Sequence, residues 1–191
     1  MATVTIVGGG PAGLSAALFT AKNGLETTVY DSGKSWVEKA HLFNYLGIRS
    51  ISGPEFLQLS QGQVEDRGAA IKAETEVTGI EPVESGFRID TDDGTHDADY
   101  VILATGANRD LAIDAGCDVT DENIVTVSLS METSIPDLYA TGAMIRDQEW
   151  QAIISAGDGG AAALSILSKE RGEHFHDFDT PADVPQLAAE D

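Results

Sequence analysis

Gly8-Gly9-Gly10-Pro11-Ala12-Gly13 and, eighteen residues further on, Asp31 are the residues whose types and spacing point most specifically to chemistry. The six satisfy G-x-G-x-x-G, which is informative only between a strand and a helix. Here "TVTIV", residues 3 to 7, precedes it as a buried-type strand, and Leu14, Ala17, Leu18 and Ala21 follow at helical spacing. Gly8 allows the tight turn, Gly10 lets a pyrophosphate approach the backbone, and Gly13 lets the helix pack against the strands. The helix N-terminus adds unpaired N–H groups and positive potential. Asp31 closes a second strand, "TTVYD", where its carboxylate would accept hydrogen bonds from a ribose diol and repel a 2′-phosphate. That chemistry is binding of an adenine dinucleotide with a free ribose, FAD or NAD rather than NADP.

The elements that must position these residues follow from periodicity. Pro11 at the first helical position and Gly24 past the end bound a helix, so the chain opens as a β-α-β unit with parallel strands. A helix is expected over 53–68. Strands are expected over 71–83, 87–93 and 99–105, taken together as an antiparallel set beside the parallel sheet. Two more strands, 123–127 and 138–141, precede a long helix over 150–172. The fold class is α/β: a doubly wound, mostly parallel Rossmann-type sheet with helices on one face and a three-stranded antiparallel β-meander on the other. Residues 1–172 form a single domain in this reading, and 173–191, poor in apolar residues, form a mobile or draped tail.

Composition narrows the partners. Eleven Lys and Arg against 32 Asp and Glu give a formal charge of −21, which disfavours nucleic acid and anionic membranes. Adaptation to a salt-rich cytoplasm is preferred over an acidic interaction surface, because ions at about 1 M screen repulsion to about 3 Å. The opening "MATVTIVGGG" carries neither a basic region nor a long apolar stretch, so a cytoplasmic protein is expected. Cys117 is the single cysteine, which excludes an internal disulfide, a C-x-x-C pair and a thiolate zinc site within these residues.

Ala-Thr-Gly occurs twice, in "VILATGANRD" at 101–110 and "LYATGAMIRDQEW" at 138–150, with Gly106 and Gly142 only 36 residues apart. With "IVGGGPAGLSAAL", "VYDSGKSW", "FNYLGIRSISGPEF" and "TSIPDLYATGAMIRDQEWQAIISAGDGGAAAL", the chain resembles the two-dinucleotide-binding flavoproteins of the thioredoxin-reductase-like branch, to about residue 170. In that family the first Ala-Thr-Gly precedes an inserted NADPH-binding domain carrying Cys-x-x-Cys, and the second follows it. A domain with its own β-α-β unit does not fit in 36 residues, so the resemblance implies an FAD domain without the insert.

By the same resemblance, Gly8, Gly10, Pro11, Ala12 and Gly13 hold the FAD pyrophosphate and Asp31 the adenosine ribose, with Ser32, Gly33 and Lys34 nearby. Val77 meets the adenine through its backbone, and Asn44 approaches the flavin side. Ala104, Thr105 and Gly106 lie beside the cofactor, as do Gly142 and Ala143, and Gln151 and Ala152 bring a helix N-terminus to the flavin ring. Two departures stand out: Trp150 replaces an Arg, and Ala143 replaces the family's Asp, with Asp147 as one possible substitute. Other candidates have weaker claims. Cys117 lies among Asp114, Asp118 and Asp121, which disfavours a thiolate. His174, His176, Asp177 and Asp179 suit a metal by composition alone, and Trp36 and Trp150 suit either stacking or packing. The leading function is an FAD-dependent oxidoreductase exchanging electrons with an external donor or acceptor, a protein among them. The alternatives are a non-catalytic dinucleotide-binding module and a plain NAD dehydrogenase, and a homodimer stays open.

Overall fold

A computed structural model describes residues 1–180. Five parallel strands make the central sheet: β1 (Thr3–Val7), β2 (Glu26–Asp31), β5 (Ala70–Ala73), β9 (Tyr100–Leu103) and β10 (Leu138–Ala140), in the order β10-β9-β1-β2-β5. A two-residue hairpin, β3 (His41–Leu42) with β4 (Ile51–Ser52), lies in the loop after β2. The strands β6 (Val77–Pro82), β7 (Phe87–Thr91) and β8 (Gly94–Ala98) form a separate antiparallel sheet.

Strand residues alternate between two cores, as the period of two requires. Val4, Ile6, Tyr100 and Ile102 pack toward α1 (Pro11–Lys22), α2 (Gly53–Glu65) and α4 (Ala152–Arg171). Val7, Val101, Leu103 and Leu138 pack toward the antiparallel sheet, through Val77, Ile80, Phe87 and Ile89, and toward α3 (Asp110–Asp114). The expected α/β class is the class observed, with α1, α2 and α4 on one face and the three-stranded layer, joined by the short α3, on the other. Close approach of α4 to α1 needs a residue without a side chain, since a Cβ at Gly159 would lie 2.0 Å from the carbonyl oxygen of Ala12. The chain turns out of α4 at Gly172, with φ of 70°.

Three expectations need correction, and one element was not anticipated. Residues 71–83 are two strands, not one: β5 extends the parallel sheet beside β2, while β6 belongs to the meander. The break falls at Glu74, whose φ is 55°, a turn with no Gly, Pro, Asn or Asp to mark it in the sequence. The strand over 99–105 is β9 at the centre of the parallel sheet, and its place in the meander is taken by β8, "GTHDA". That polar strand is exposed along most of its length, so no apolar alternation marks it. Residues 123–127 form no strand. Val125 makes one isolated bridge with Val119, and the amides of Val125 and Thr126 donate to the carbonyls of Met144 and Asp118. Finally, the short α3 carries too few residues to show a helical period.

Beyond α4, residues 173–180 form neither helix nor strand. Lys22 donates to Asp177 at 2.8 Å and to Asp179 at 2.5 Å, fastening this segment to the end of α1. The rest of the expected tail, 181–191, lies outside the described residues.

Candidate functional site

β1 ends where the chain must reverse into α1, and the turn there is decided by backbone contacts. Gly8 has a φ of +116°, and a Cβ on it would sit 2.3 Å from the Ala104 oxygen at the end of β9. A Cβ on Gly13 would sit 1.9 Å from the Gly8 oxygen, so only glycine lets the first turn of α1 rest on the loop. Gly10, by contrast, would meet only the Ser35 hydroxyl, at 3.3 Å. It opens into space.

That space is a cavity of about 610 Å³ along the carboxyl ends of the parallel strands, a size suited to a small-molecule cofactor. The lining includes every residue expected to hold FAD except Gly13, Gly33 and Asn44. Gly13 works behind the wall, as its packing on Gly8 shows. Gly33 donates its N–H to Asp31 Oδ1 at 2.9 Å, orienting that carboxylate. Asn44 donates to Gln151 Oε1 at 2.7 Å, tying the loop after β3 to the start of α4.

The cavity has two distinct ends. At one, Asp31, Ser32 and Lys34 from the β2 loop face Thr75, Glu76, Val77 and Thr78 from the meander, and Lys34 pairs with Glu76 at 2.8 Å. At the other, Thr141, Gly142 and Ala143 after β10 meet Trp150, Gln151, Ala152 and Ser155 at the start of α4. The N-termini of α1 and α4 both open into this one space. Neither has a side-chain cap or an acidic residue in its first turn, so both carry uncapped first-turn N–H groups and the positive end of a helix dipole. A ligand with anionic groups at two separated points suits this arrangement.

Trp36 and Trp150 both line the cavity, 61% and 40% exposed, with ring centroids 5.5 Å apart and planes tilted by 58°. Trp150 Nε1 donates to the Arg146 oxygen at 3.3 Å. Asp147 is absent from this lining and borders a second, shallower depression with Arg109, Glu122 and Gln148. Asp147 is therefore not placed in the cavity to stand in for a carboxylate at position 143. Cys117 is buried away from the cavity, and burial, ahead of the Asp118 charge, pushes its thiol up. Asp177 and Asp179 are engaged by Lys22, and no metal-holding cluster occurs among the described residues.

Sequence reasoning missed several lining residues. Glu76, Thr78, Asp110, Leu111 and Asp114 reach the cavity from the meander and α3, with no local pattern to announce them. Tyr30 and Lys34 carry a Tyr-x-x-x-Lys spacing. It makes no joint site, because the Tyr30 ring packs beside His96 while Lys34 pairs with Glu76.

Comparison with known proteins agrees with this geometry. The family model of pyridine nucleotide-disulphide oxidoreductases matches residues 46–160, and that of NAD(P)-binding Rossmann-like domains matches residues 6–36. A ferredoxin–NADP reductase of Levilactobacillus brevis is 28% identical over 179 residues, covering 87% of this chain and 50% of its own. A thioredoxin reductase of Treponema pallidum is 42% identical over 116 residues, covering 56% and 36%. The chain thus spans half or less of the length of these relatives. Among solved structures, the atypical thioredoxin reductase TRi from Desulfovibrio vulgaris Hildenborough has the same fold, with a TM-score of 0.83 at 18% identity over 91% of this chain and 99% of that one. With the family model covering more than half of its residues, this chain belongs to the pyridine nucleotide-disulphide oxidoreductases and is thioredoxin-reductase-like.

Proposed function

We propose that residues 1–172 are the FAD-binding domain of an oxidoreductase that exchanges electrons with a donor or acceptor outside this chain. One observation carries the proposal: two uncapped helix N-termini open into a single cavity with Asp31 near one of them. The α1 terminus and Gly10 suit the diphosphate, and Asp31 suits the adenosine ribose. The α4 terminus suits the flavin ring, where its dipole favours negative charge. The residues fit FAD at these three points and leave Ala143 without the polar contact its relatives' pattern implies. Bound flavin would supply the redox chemistry, while the protein orients it and sets the local field.

A single cysteine leaves no internal dithiol in this chain, so turnover would draw on a nicotinamide or a redox protein from outside. The 21 excess negative charges support a salt-rich cytoplasm as the working medium. Ala143 supports the second reading, a non-catalytic dinucleotide-binding module. Visible absorption of protein purified in strong salt and reconstituted with FAD separates the two. We expect flavin bands that bleach with NADH, NADPH or a reduced carrier protein. Bands that bleach with dithionite alone favour the module, and their complete absence sinks the FAD reading.

A further inference from the structure

Gly142 and Ala143 form the flavin-side wall, yet they belong to a short 3-10 turn, Gly142–Ile145, outside the sheet. Besides the Val125 amide on the Met144 oxygen, charged side chains hold the turn, two of them remote in sequence. Asp158, on α4 and only 6% exposed, accepts the Gly142 N–H at 3.3 Å through Oδ2. Its carboxylate is gripped by Arg146, with Nη2 2.5 Å from Oδ1 and Nε 3.2 Å from Oδ2. From the opposite side Arg109 donates Nε to the Met144 oxygen at 2.9 Å, and Nη2 to the oxygens of Arg146 at 3.0 Å and Ala143 at 3.4 Å. None of these three side chains lines the cavity.

We propose that Asp158, Arg146 and Arg109 are positioning residues that hold the Gly142–Ala143 backbone in its binding conformation, doing indirectly what a carboxylate at position 143 would do by contact. The role rests on the FAD reading given above. Its physical basis is preorganisation: a turn fixed before binding loses little freedom when the ligand arrives. Arg146 has a second task. A bare buried carboxylate beside an anionic dinucleotide would repel it, and the guanidinium cancels that charge.

The test has two arms. Hydrogen exchange of the protein without added FAD should speed up about tenfold across 142–146 in Asp158→Ala and in Arg109→Gln, with β1 unchanged, as expected for loss of a bond to a charged group. Unchanged exchange overturns the clamp, whatever FAD does. The second arm pairs Asp158→Leu with Arg146→Met, which removes the hydrogen bond to Gly142 without leaving an unpaired charge. We expect the melting temperature to return close to that of the parent, FAD affinity by fluorescence titration to stay about tenfold weaker, and the visible circular dichroism of bound FAD to change. Recovery of affinity together with melting temperature means the pair merely stabilises the fold and overturns the proposal. Failure of the parent protein itself to bind FAD sinks the cofactor reading, and the exchange arm still decides the clamp.

Discussion

The two ends of the cavity are walled in different ways. At the Asp31 end the glycine turn and the β2 loop lie close together in the chain, and they are fixed by contacts between backbone atoms, Gly13 on Gly8 and Gly8 on Ala104. At the Ala143 end the wall joins the segment after β10 to the start of α4, and remote charged side chains hold it. Backbone-defined walls tolerate almost no substitution. Walls held by side chains depend on the partners those side chains find, as Asp158 with Gly142 shows.

Gly13→Val should break the first end most severely. Its Cβ would need the place of the Gly8 oxygen, so we expect a stability loss of about 1–3 kcal/mol in thermal unfolding and no FAD retained through gel filtration. Asp31→Ala should leave the fold intact and remove the proposed ribose acceptor. FAD affinity by titration should fall about ten- to a hundredfold. At the other end, Ala143→Asp should tighten FAD about tenfold, measured as slower loss on dialysis; unchanged retention means the missing group is not limiting.

Lys34→Gln is a milder test. The Lys34–Glu76 pair is well exposed, so its removal should change stability by less than about 1 kcal/mol, and strong salt should erase the difference. The smallest effect is expected at Cys117, away from both ends. Burial raises its pKa, helped by the Asp118 charge against a hydrogen bond from Thr133. Its contribution is therefore present below the unfolded thiol's pKa of about 8.5 and is lost as pH rises through the folded value. Urea unfolding between pH 7 and 10 should show a shallower alkaline decline for Cys117→Ala than for the parent. Identical slopes would remove the thiol from the account.

Much of the Asp31 end was legible in the sequence because its information is local. A strand, a glycine turn, a helix and an acid at the end of the next strand fall within 31 residues, and Gly13 answers a steric demand of Gly8 within the same turn. The meander was less legible. β8 is polar and exposed, so nothing in its composition separates it from a loop, while 123–127 has the β-branched residues of a strand and no strand edge to pair with. Strand composition reports a local preference, but pairing is decided by what lies alongside.

The sequence by itself determined the α/β class, the strand, glycine turn and helix that open the chain, the single cysteine and the alanine at 143, since all of these are residue identities or short-range periods. Only the tertiary structure decided that Asp158, sixteen residues beyond Gly142, accepts its amide hydrogen. It also brought Arg109 to the carbonyls of 143–146 and put Asp147 outside the main cavity. A hydrogen bond depends on distance and direction in space, and for residues on different elements those are set by how the elements pack.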